Sequence, residues 1–176
     1  MPKIIENVRG RLIDEARKQI NENGYGSVTI RSIAKGCEIG LGTFYNYFKS
    51  KDLLIATFLL EDWKKRIDSI NEATEGSSNP MSAVKNICAE LNEFIESNIA
   101  IFSAPEAIKS FNGVSSNYHK LLRFQIAQPI YNACVIGGYE NPEFLSQFVA
   151  EATLTWTVAK KSYEELASVL TKLFIK

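Results

Sequence analysis

The chain has 176 residues, of which 45% are hydrophobic and 23% are charged, a composition typical of a globular protein that can bury a core. Twenty basic residues balance twenty acidic ones, so the net charge alone does not indicate a nucleic-acid partner. The balance is uneven, because residues 1–52 carry nine basic and six acidic side chains, a net +3, and the remainder carries −3. The N-terminal part is therefore the basic end of the chain.

The cysteines and the apolar runs exclude several protein classes. Cys37, Cys88 and Cys134 are odd in number and far apart, which argues against a disulfide framework or a metal site and favours free thiols in a reducing compartment. The longest apolar run, residues 53–60, is much shorter than the ~20 residues of a membrane span. One histidine and no nucleophile motif argue against an enzyme. We expect a soluble, cytoplasmic protein without cofactor, metal or membrane partner.

Three short helices are predicted at the N-terminal end. Apolar residues recur at helical spacing over Ile5–Ile20, and Gly24 follows them as a stop signal. Thr29 can cap a second, short helix, and Gly40–Phe48 has the pattern of a third.

Longer helices are predicted for the rest of the chain. Ser50 can cap a fourth helix that runs towards Thr74, and a linker at 75–80 precedes a fifth that ends near Asn98. Later breaks are predicted at 103–106, 112–117 and 137–142, and the last two helices at about 142–159 and 161–175. No segment alternates with period two for long enough to predict a strand. The sequence thus predicts an all-α fold of about nine helices.

The stretch TIRSIAKGCEIGLGTFYNYFKSKDLL, residues 29–54, has the pattern of a helix-turn-helix. The second helix of such a motif enters a major groove about 12 Å wide, so its leading face needs small side chains. Gly40, Gly42 and Thr43 meet that requirement. Hydroxyl and ammonium groups suited to phosphates at the groove rim follow on Tyr45, Tyr47, Lys49 and Lys51.

Over about residues 4–56, this pattern resembles the DNA-binding signature of the TetR family of bacterial transcriptional regulators. The resemblance includes the run G-T-F-Y-x-Y-F-x-S-K-[DE]-x-L, which sets a tyrosine pair, an apolar pattern and a helix cap in one register. It implies an all-helical homodimer with a helix-turn-helix DNA-binding domain at 1–50. Residues 51–176 would then form a helical domain that binds a small molecule and pairs through its last two helices.

The resemblance also implies roles for single residues. Positions that approach base edges are Arg31, Leu41, Gly42, Thr43 and Asn46. Positions that hold phosphates are Thr29, Tyr45, Tyr47 and Lys51. The core of the DNA-binding domain would comprise Ile30, Ile33, Ala34, Cys37, Ile39, Phe44 and Phe48.

Some of these roles have an alternative interpretation. Tyr45 and Tyr47 could be half-buried aromatics, although two residues apart on a helix they point about 200° away from each other and cannot share one core. Leu41 could contact a thymine methyl or serve as a passive spacer. Glu38 and Gly40 depart from the family, which usually has glycine in the turn and a serine-like cap before the recognition helix. A non-glycine residue in a left-handed turn costs on the order of 1–2 kcal/mol, and a carboxylate near phosphates opposes binding.

The remaining candidates concern a ligand and a partner subunit. Aromatic and polar residues that would line a ligand pocket, or else fill the core or lie on the surface, are Trp63, Phe94, Phe102, Phe111, Tyr118, His119, Phe124 and Tyr131. Charges that could anchor a ligand are Glu61, Asp62 and Arg123. Apolar residues of the last two helices that would form a dimer interface, some of them shared with the core, are Phe144, Phe148, Ala152, Trp156, Leu166, Leu170 and Leu173.

The sequence therefore predicts a ligand-responsive repressor. It would bind a palindromic operator in double-stranded DNA as a homodimer and be released by a small, largely apolar effector. The alternative is a dimeric helical small-molecule-binding protein whose DNA binding is weakened or lost through Glu38 and Gly40.

Overall fold

A computed structural model describes residues 6–112 and 115–175, without the side chains of residues 108 and 110–120. Within these ranges the chain forms ten α-helices and two 3₁₀ turns and contains no strand, which confirms the all-α class. The helices are α1 (Val8–Asn23), α2 (Ile30–Gly36), α3 (Leu41–Tyr47), α4 (Lys51–Thr74), α5 (Pro80–Ser97), α6 (Ile99–Phe102), α7 (Pro105–Asn112), α8 (Ser115–Ile136), α9 (Pro142–Val158) and α10 (Tyr163–Leu170). The 3₁₀ turns are Tyr25–Ser27 and Thr171–Phe174.

The helix ends follow local signals in the sequence. Gly24 ends α1 at φ +78°, and its N–H donates to the Ile20 carbonyl at 2.8 Å. The Ser50 hydroxyl accepts from the Leu53 N–H at 3.0 Å at the start of α4. The Asn79 side chain accepts from the Met81 N–H at 3.0 Å at the start of α5. These caps confirm the predicted starts of α4 and α5 and the predicted end of α1.

The chain divides into two compact units. The first comprises Met1–Asp62 and Asn98–Val114, and the second comprises Trp63–Ser97 and Ser115–Lys176. Helix α4 contributes residues to both units. This division describes packing, and the functional division at residue 50 stays a prediction.

The first unit is built on the packing of α1 against α2, with α6 also contacting α1. Its buried side chains come from α1 to α4 and include Leu12, Ile33 and Phe44, each fully buried. Ile101 of α6 and Ala107 of α7 are buried in the same cluster, at 3% and 1% exposure. The core of the DNA-binding domain predicted at residues 1–50 is therefore completed by a segment about fifty residues further along the chain.

The second unit is a bundle of α5, α8, α9 and α10 with the C-terminal half of α4. Its core is a cluster of buried aliphatic residues around Ile87, Ile126, Ile130 and Val149, each fully buried. The Trp63 indole N–H donates to the Gln125 side chain at 3.0 Å, which satisfies the polar atom of a buried aromatic. Among the described residues, no helix is long and apolar enough to cross a membrane.

Candidate nucleic-acid interface

The start of α2 is held by a hydrogen-bond network with α1. Thr29 is the N-cap, and its hydroxyl accepts from the Ser32 N–H at 3.0 Å while the Ser32 hydroxyl oxygen accepts from the Thr29 N–H at 3.0 Å. This reciprocal pair is a capping box. The Gln19 amide of α1 donates to the Ser32 carbonyl at 3.0 Å. The orientation of α2 is thereby tied to α1.

The turn between α2 and α3 contains the predicted departure at Glu38. Its φ is +55°, in the left-handed region that favours glycine, and the side chain is exposed. The Ile39 N–H reaches back to the Ala34 carbonyl at 3.0 Å and closes the turn. The Arg11 guanidinium donates to the Cys37 carbonyl at 3.0 Å, and the Cys37 thiol donates to the Arg11 carbonyl at 3.3 Å. Burial, followed by the nearby Glu15 carboxylate, raises the pKa of this thiol.

Helix α3 buries one face and exposes the other. Phe44 is fully buried, and its ring lies edge-on to Tyr45 with centroids 5.7 Å apart. Phe48, just after the helix, is 3% exposed. Gly40 occupies the N-cap without a side-chain cap bond, as predicted. The helix is therefore anchored by its phenylalanines and presents its other residues to solvent.

The residues predicted to contact DNA all lie in the described part of the chain. Seven are exposed: Thr29, Arg31, Leu41, Gly42, Tyr45, Asn46 and Tyr47. Two are half-buried, Thr43 and Lys51. Of the residues predicted to form the core of the DNA-binding domain, five are buried: Ile33, Ala34, Cys37, Phe44 and Phe48. Ile30 and Ile39 are half-buried and pack against this core. The side chains assigned to the surface and those assigned to the core therefore fall on opposite sides of the motif.

Lys51 has an inward-facing ammonium group. Its Nζ donates to the carbonyl oxygens of Tyr25 and Val28, each at 3.0 Å, and lies 4.0 Å from the centroid of the Tyr25 ring. Burial lowers the pKa of Lys51, and the neighbouring carboxylates of Asp52 and Glu106 act in the opposite direction. Sequence reasoning missed these contacts, because their partners lie more than twenty residues away along the chain.

Residues 12–57 match the model of the family described as bacterial regulatory proteins, tetR family. Residues 12–57 therefore have the sequence of the TetR-family DNA-binding segment. The matched segment contains the whole helix-turn-helix, from within α1 to the first turns of α4. The assignment confirms the resemblance drawn from the GTFYNYF run. Within the described residues, no group of three or more histidine, cysteine or acidic side chains could hold a metal ion.

Individual relatives support this assignment. The regulator UidR of Escherichia coli K12 is 37% identical over 68 residues, which are 39% of this chain and 35% of UidR. The repressor KstR of Rhodococcus jostii is 28% identical over 88 residues, 50% of this chain and 41% of KstR. The matched region thus spans well under two thirds of these relatives. The solved structure of Salmonella enterica GusR is 22% identical, covers 96% of this chain and 90% of GusR, and has a TM-score of 0.66, which shows the shared fold.

The predicted pocket residues do not converge on one cavity among the described side chains. Trp63 and Phe94 pack edge to face in the second unit with centroids 5.4 Å apart, whereas Phe124 is 67% exposed. Phe102 belongs to the first unit and is 37% exposed. Phe111, Tyr118 and His119 lie outside the described side chains. Periodicity identified these residues as helical but could not assign each to the core or the surface.

The predicted anchoring charges are engaged in ion pairs. Glu61 pairs with Arg9, and the Asp62 carboxylate lies 2.8 Å from Arg17. The third, Arg123 of α8, pairs with a carboxylate of α9 at 2.5 Å. Binding a ligand ion at any of these three side chains would require breaking an existing pair.

The second unit has an open groove of about 550 Å³ between the end of α4 and the last turns of α8. Tyr131 is the one predicted pocket residue that lines it, opposite Glu72 and Glu75. Val135 and Ile136 supply an apolar wall, at 51% and 54% exposure. The lining contains two carboxylates and no lysine or arginine, so the groove disfavours anions.

The predicted dimer residues divide between surface and core. Phe148 and Leu173 are exposed, at 51% and 41%, and Ala152 and Trp156 are half-buried. The prediction that Leu166 and Leu170 lie in an interface is corrected, because they are 5% and 2% exposed and belong to the core of the second unit. The apolar side of α10 is its buried side, because this short helix packs against α5 and α9. Exposed apolar residues that this prediction missed are Val158, Val169 and Ile175.

Proposed function

We propose that this protein binds a palindromic operator as a homodimer and represses transcription until a small effector releases it. The observation that carries the proposal is the open face of α3. A Cβ at Gly40 or Gly42 would meet no atom within 4 Å, so the helix backbone is free to approach base edges. Phe44 on the opposite side fixes the helix to the core. A rigid helix with a small-residue face is what major-groove entry requires.

We assign the side chains of this surface to two kinds of contact. Arg31, Thr43 and Asn46 carry hydrogen-bonding groups suited to base edges, and Leu41 can contact a thymine methyl. Tyr45 and Tyr47, 46% and 47% exposed, and the Thr29 hydroxyl would position the protein on phosphates. The Thr29 oxygen accepts one hydrogen bond within its capping box, which leaves its own O–H able to donate.

The exposed apolar surface of the C-terminal helices supports the pairing of two chains. Phe144 and Phe148 of α9 stack with ring centroids 6.1 Å apart and are 69% and 51% exposed. Val169 and Leu173 add exposed apolar area after them in the chain. Burying this surface across a two-fold axis would give a dimer, and a palindromic operator requires the two copies of α3 to reach half-sites about 34–36 Å apart.

Repression is supported by a relative, and the class of effector by the lining of the groove. KstR, which matches half of this chain, is named a transcriptional repressor. For the effector, we propose a largely apolar molecule, neutral or cationic, in the groove that Tyr131 lines. Glu72 and Glu75 would repel an anion there. A thermal-shift screen in which only anionic metabolites stabilised the protein would contradict this assignment.

Selection of bound sequences from random duplex DNA tests the proposal directly. We expect an enriched palindrome, with an affinity that falls steeply as salt rises. Tyr45→Phe should weaken binding equally for all sequences, whereas Asn46→Ala should relax preference at particular bases. The absence of any enriched palindrome would refute operator binding.

A second candidate is a dimeric small-molecule-binding protein without DNA binding. The observation that favours it is the left-handed Glu38 next to an uncapped recognition helix. A folded dimer that shows neither a selected sequence nor a gel shift on its own upstream region would support this candidate.

A further inference from the structure

We propose that Lys51 is a positioning residue that holds the backbone before Thr29 in place, and that its ammonium does not bind DNA phosphate. The inference rests on the proposed DNA binding and assigns a different role from the direct phosphate contact that the family signature implies for this position. It is carried by the two carbonyl contacts and the ring contact of the Lys51 side chain.

Most of the hydrogen-bonding capacity of the Lys51 ammonium is satisfied within the protein. It has three N–H donors, and two of them point to the carbonyls of Tyr25 and Val28 at 3.0 Å. The Tyr25 ring covers the ammonium at 4.0 Å, a distance at which a cation is attracted to the ring face. Only one N–H is left for a phosphate, so a full phosphate contact would compete with the two carbonyls and the ring.

The charges around Lys51 also oppose a phosphate. Asp52 follows it in α4 and accepts a hydrogen bond from the Tyr25 hydroxyl at 2.5 Å. The Glu106 carboxylate of α7 belongs to the same unit and acts electrostatically on Lys51. Both carboxylates reduce the positive potential at Lys51 and so weaken its attraction for a phosphate.

The carbonyls to which Lys51 donates lie just before the N-cap of α2. Val28 is the residue before Thr29, and both lie in the segment that joins α1 to α2. Lys51 is the first residue of α4, so its two hydrogen bonds tie the start of α4 to this segment. Loss of the ammonium would release the peptide before Thr29 and misplace the hydroxyl that we assign to phosphate.

Salt dependence separates positioning from phosphate contact. Lys51→Met keeps the apolar stem and removes the ammonium, and we expect it to weaken operator binding about tenfold without changing the slope of log K against log salt. A direct contact would instead reduce the slope by about 0.9, the value for one phosphate on duplex DNA. The matched control is Lys64→Met, which removes one positive charge from an exposed residue of α4 outside the helix-turn-helix. A slope reduced by about 0.9 in Lys51→Met beyond that in the control would overturn the inference.

A double-mutant cycle tests whether Lys51 acts through Thr29. We expect Thr29→Ala and Lys51→Met to be strongly non-additive, so that the second substitution weakens binding less than twofold once the first is present. Independent phosphate contacts would give losses that multiply. Should Lys51→Met fail to fold, Lys51→Leu, which also removes the ammonium and its N–H donors, serves in both measurements with the same expected outcomes.

Amide hydrogen exchange without DNA distinguishes failure of this inference from failure of operator binding. Lys51→Met should speed exchange of the Val28 and Ser32 amides about tenfold, while Lys64→Met leaves them unchanged. If the unaltered protein binds no DNA but this acceleration is observed, the proposed function fails and the positioning contact stands. Unchanged exchange in Lys51→Met would refute the positioning role whatever the DNA result.

Discussion

Two charged substitutions in the C-terminal helices should have opposite consequences. Phe148 is 51% exposed on α9, whereas Leu170 is 2% exposed in the core of the same unit. Phe148→Glu should therefore give a folded monomer, and Leu170→Glu should unfold the protein. The comparison tests the dimer surface and the corrected position of Leu170 together.

The magnitudes follow from the exposed areas. A phenylalanine buries about 200 Å² when covered, so the exposed half of Phe148 amounts to roughly 100 Å². At about 25 cal/mol per Å², its burial contributes about 2.5 kcal/mol per subunit and about 5 kcal/mol per dimer, because the two-fold axis places it twice. Loss of this term weakens pairing by three to four orders of magnitude. For Leu170, a carboxylate in an apolar core costs more than about 4 kcal/mol, against a total stability of about 5–15 kcal/mol.

Sedimentation velocity and far-ultraviolet circular dichroism measure both outcomes. The unaltered protein and the exposed control Gln147→Glu should sediment as dimers at micromolar concentration. Phe148→Glu should sediment as a helical monomer that has lost operator binding, and Leu170→Glu should lose its helical signal. A Phe148→Glu protein that stayed dimeric would place the interface elsewhere, and a helical, stable Leu170→Glu protein would contradict the core assignment.

Three other substitutions test the strained turn, a buried thiol and the extended head. Glu38→Gly should raise the free energy of unfolding in urea by about 1 kcal/mol by relieving the φ of +55°, whereas Glu38→Ala should not, because the Cβ strain remains. Burial raises the pKa of the Cys134 thiol to about 11. The unfolded thiol loses its proton from about pH 9 while the folded thiol keeps it, so stability should fall by up to about 1.4 kcal/mol per pH unit until the folded pKa is reached. Cys134→Val should remove that part of the pH dependence, and an unchanged pH profile would count against the raised pKa. Ile101→Ala should cost about 2–4 kcal/mol in urea unfolding, and a cost below 1 kcal/mol would show that α6 is not part of the first core.

The sequence alone determined the features that depend on near neighbours in the chain. Thr29 and Ser50 cap the helices that they were predicted to cap, and Asn79 caps the helix that follows the predicted linker, because a cap needs only an N–H two or three residues away. The left-handed Glu38 was likewise anticipated at the departure from the family pattern. The resemblance to the TetR family, and the division of the motif into exposed and buried faces, rested on the spacing of residues within one short stretch of the chain.

The tertiary structure alone decided which distant groups meet. The sequence suggests that Lys51 is an exposed cation at the start of a helix. Only the folded position of the segment before α2 shows that its ammonium donates to the Tyr25 and Val28 carbonyls. Leu166 and Leu170 fit an interface pattern and a core pattern equally well, since helical periodicity does not say what covers a face. Ile101 completes the core of the first unit from far along the chain. These outcomes depend on packing between segments distant in sequence, which no local pattern records.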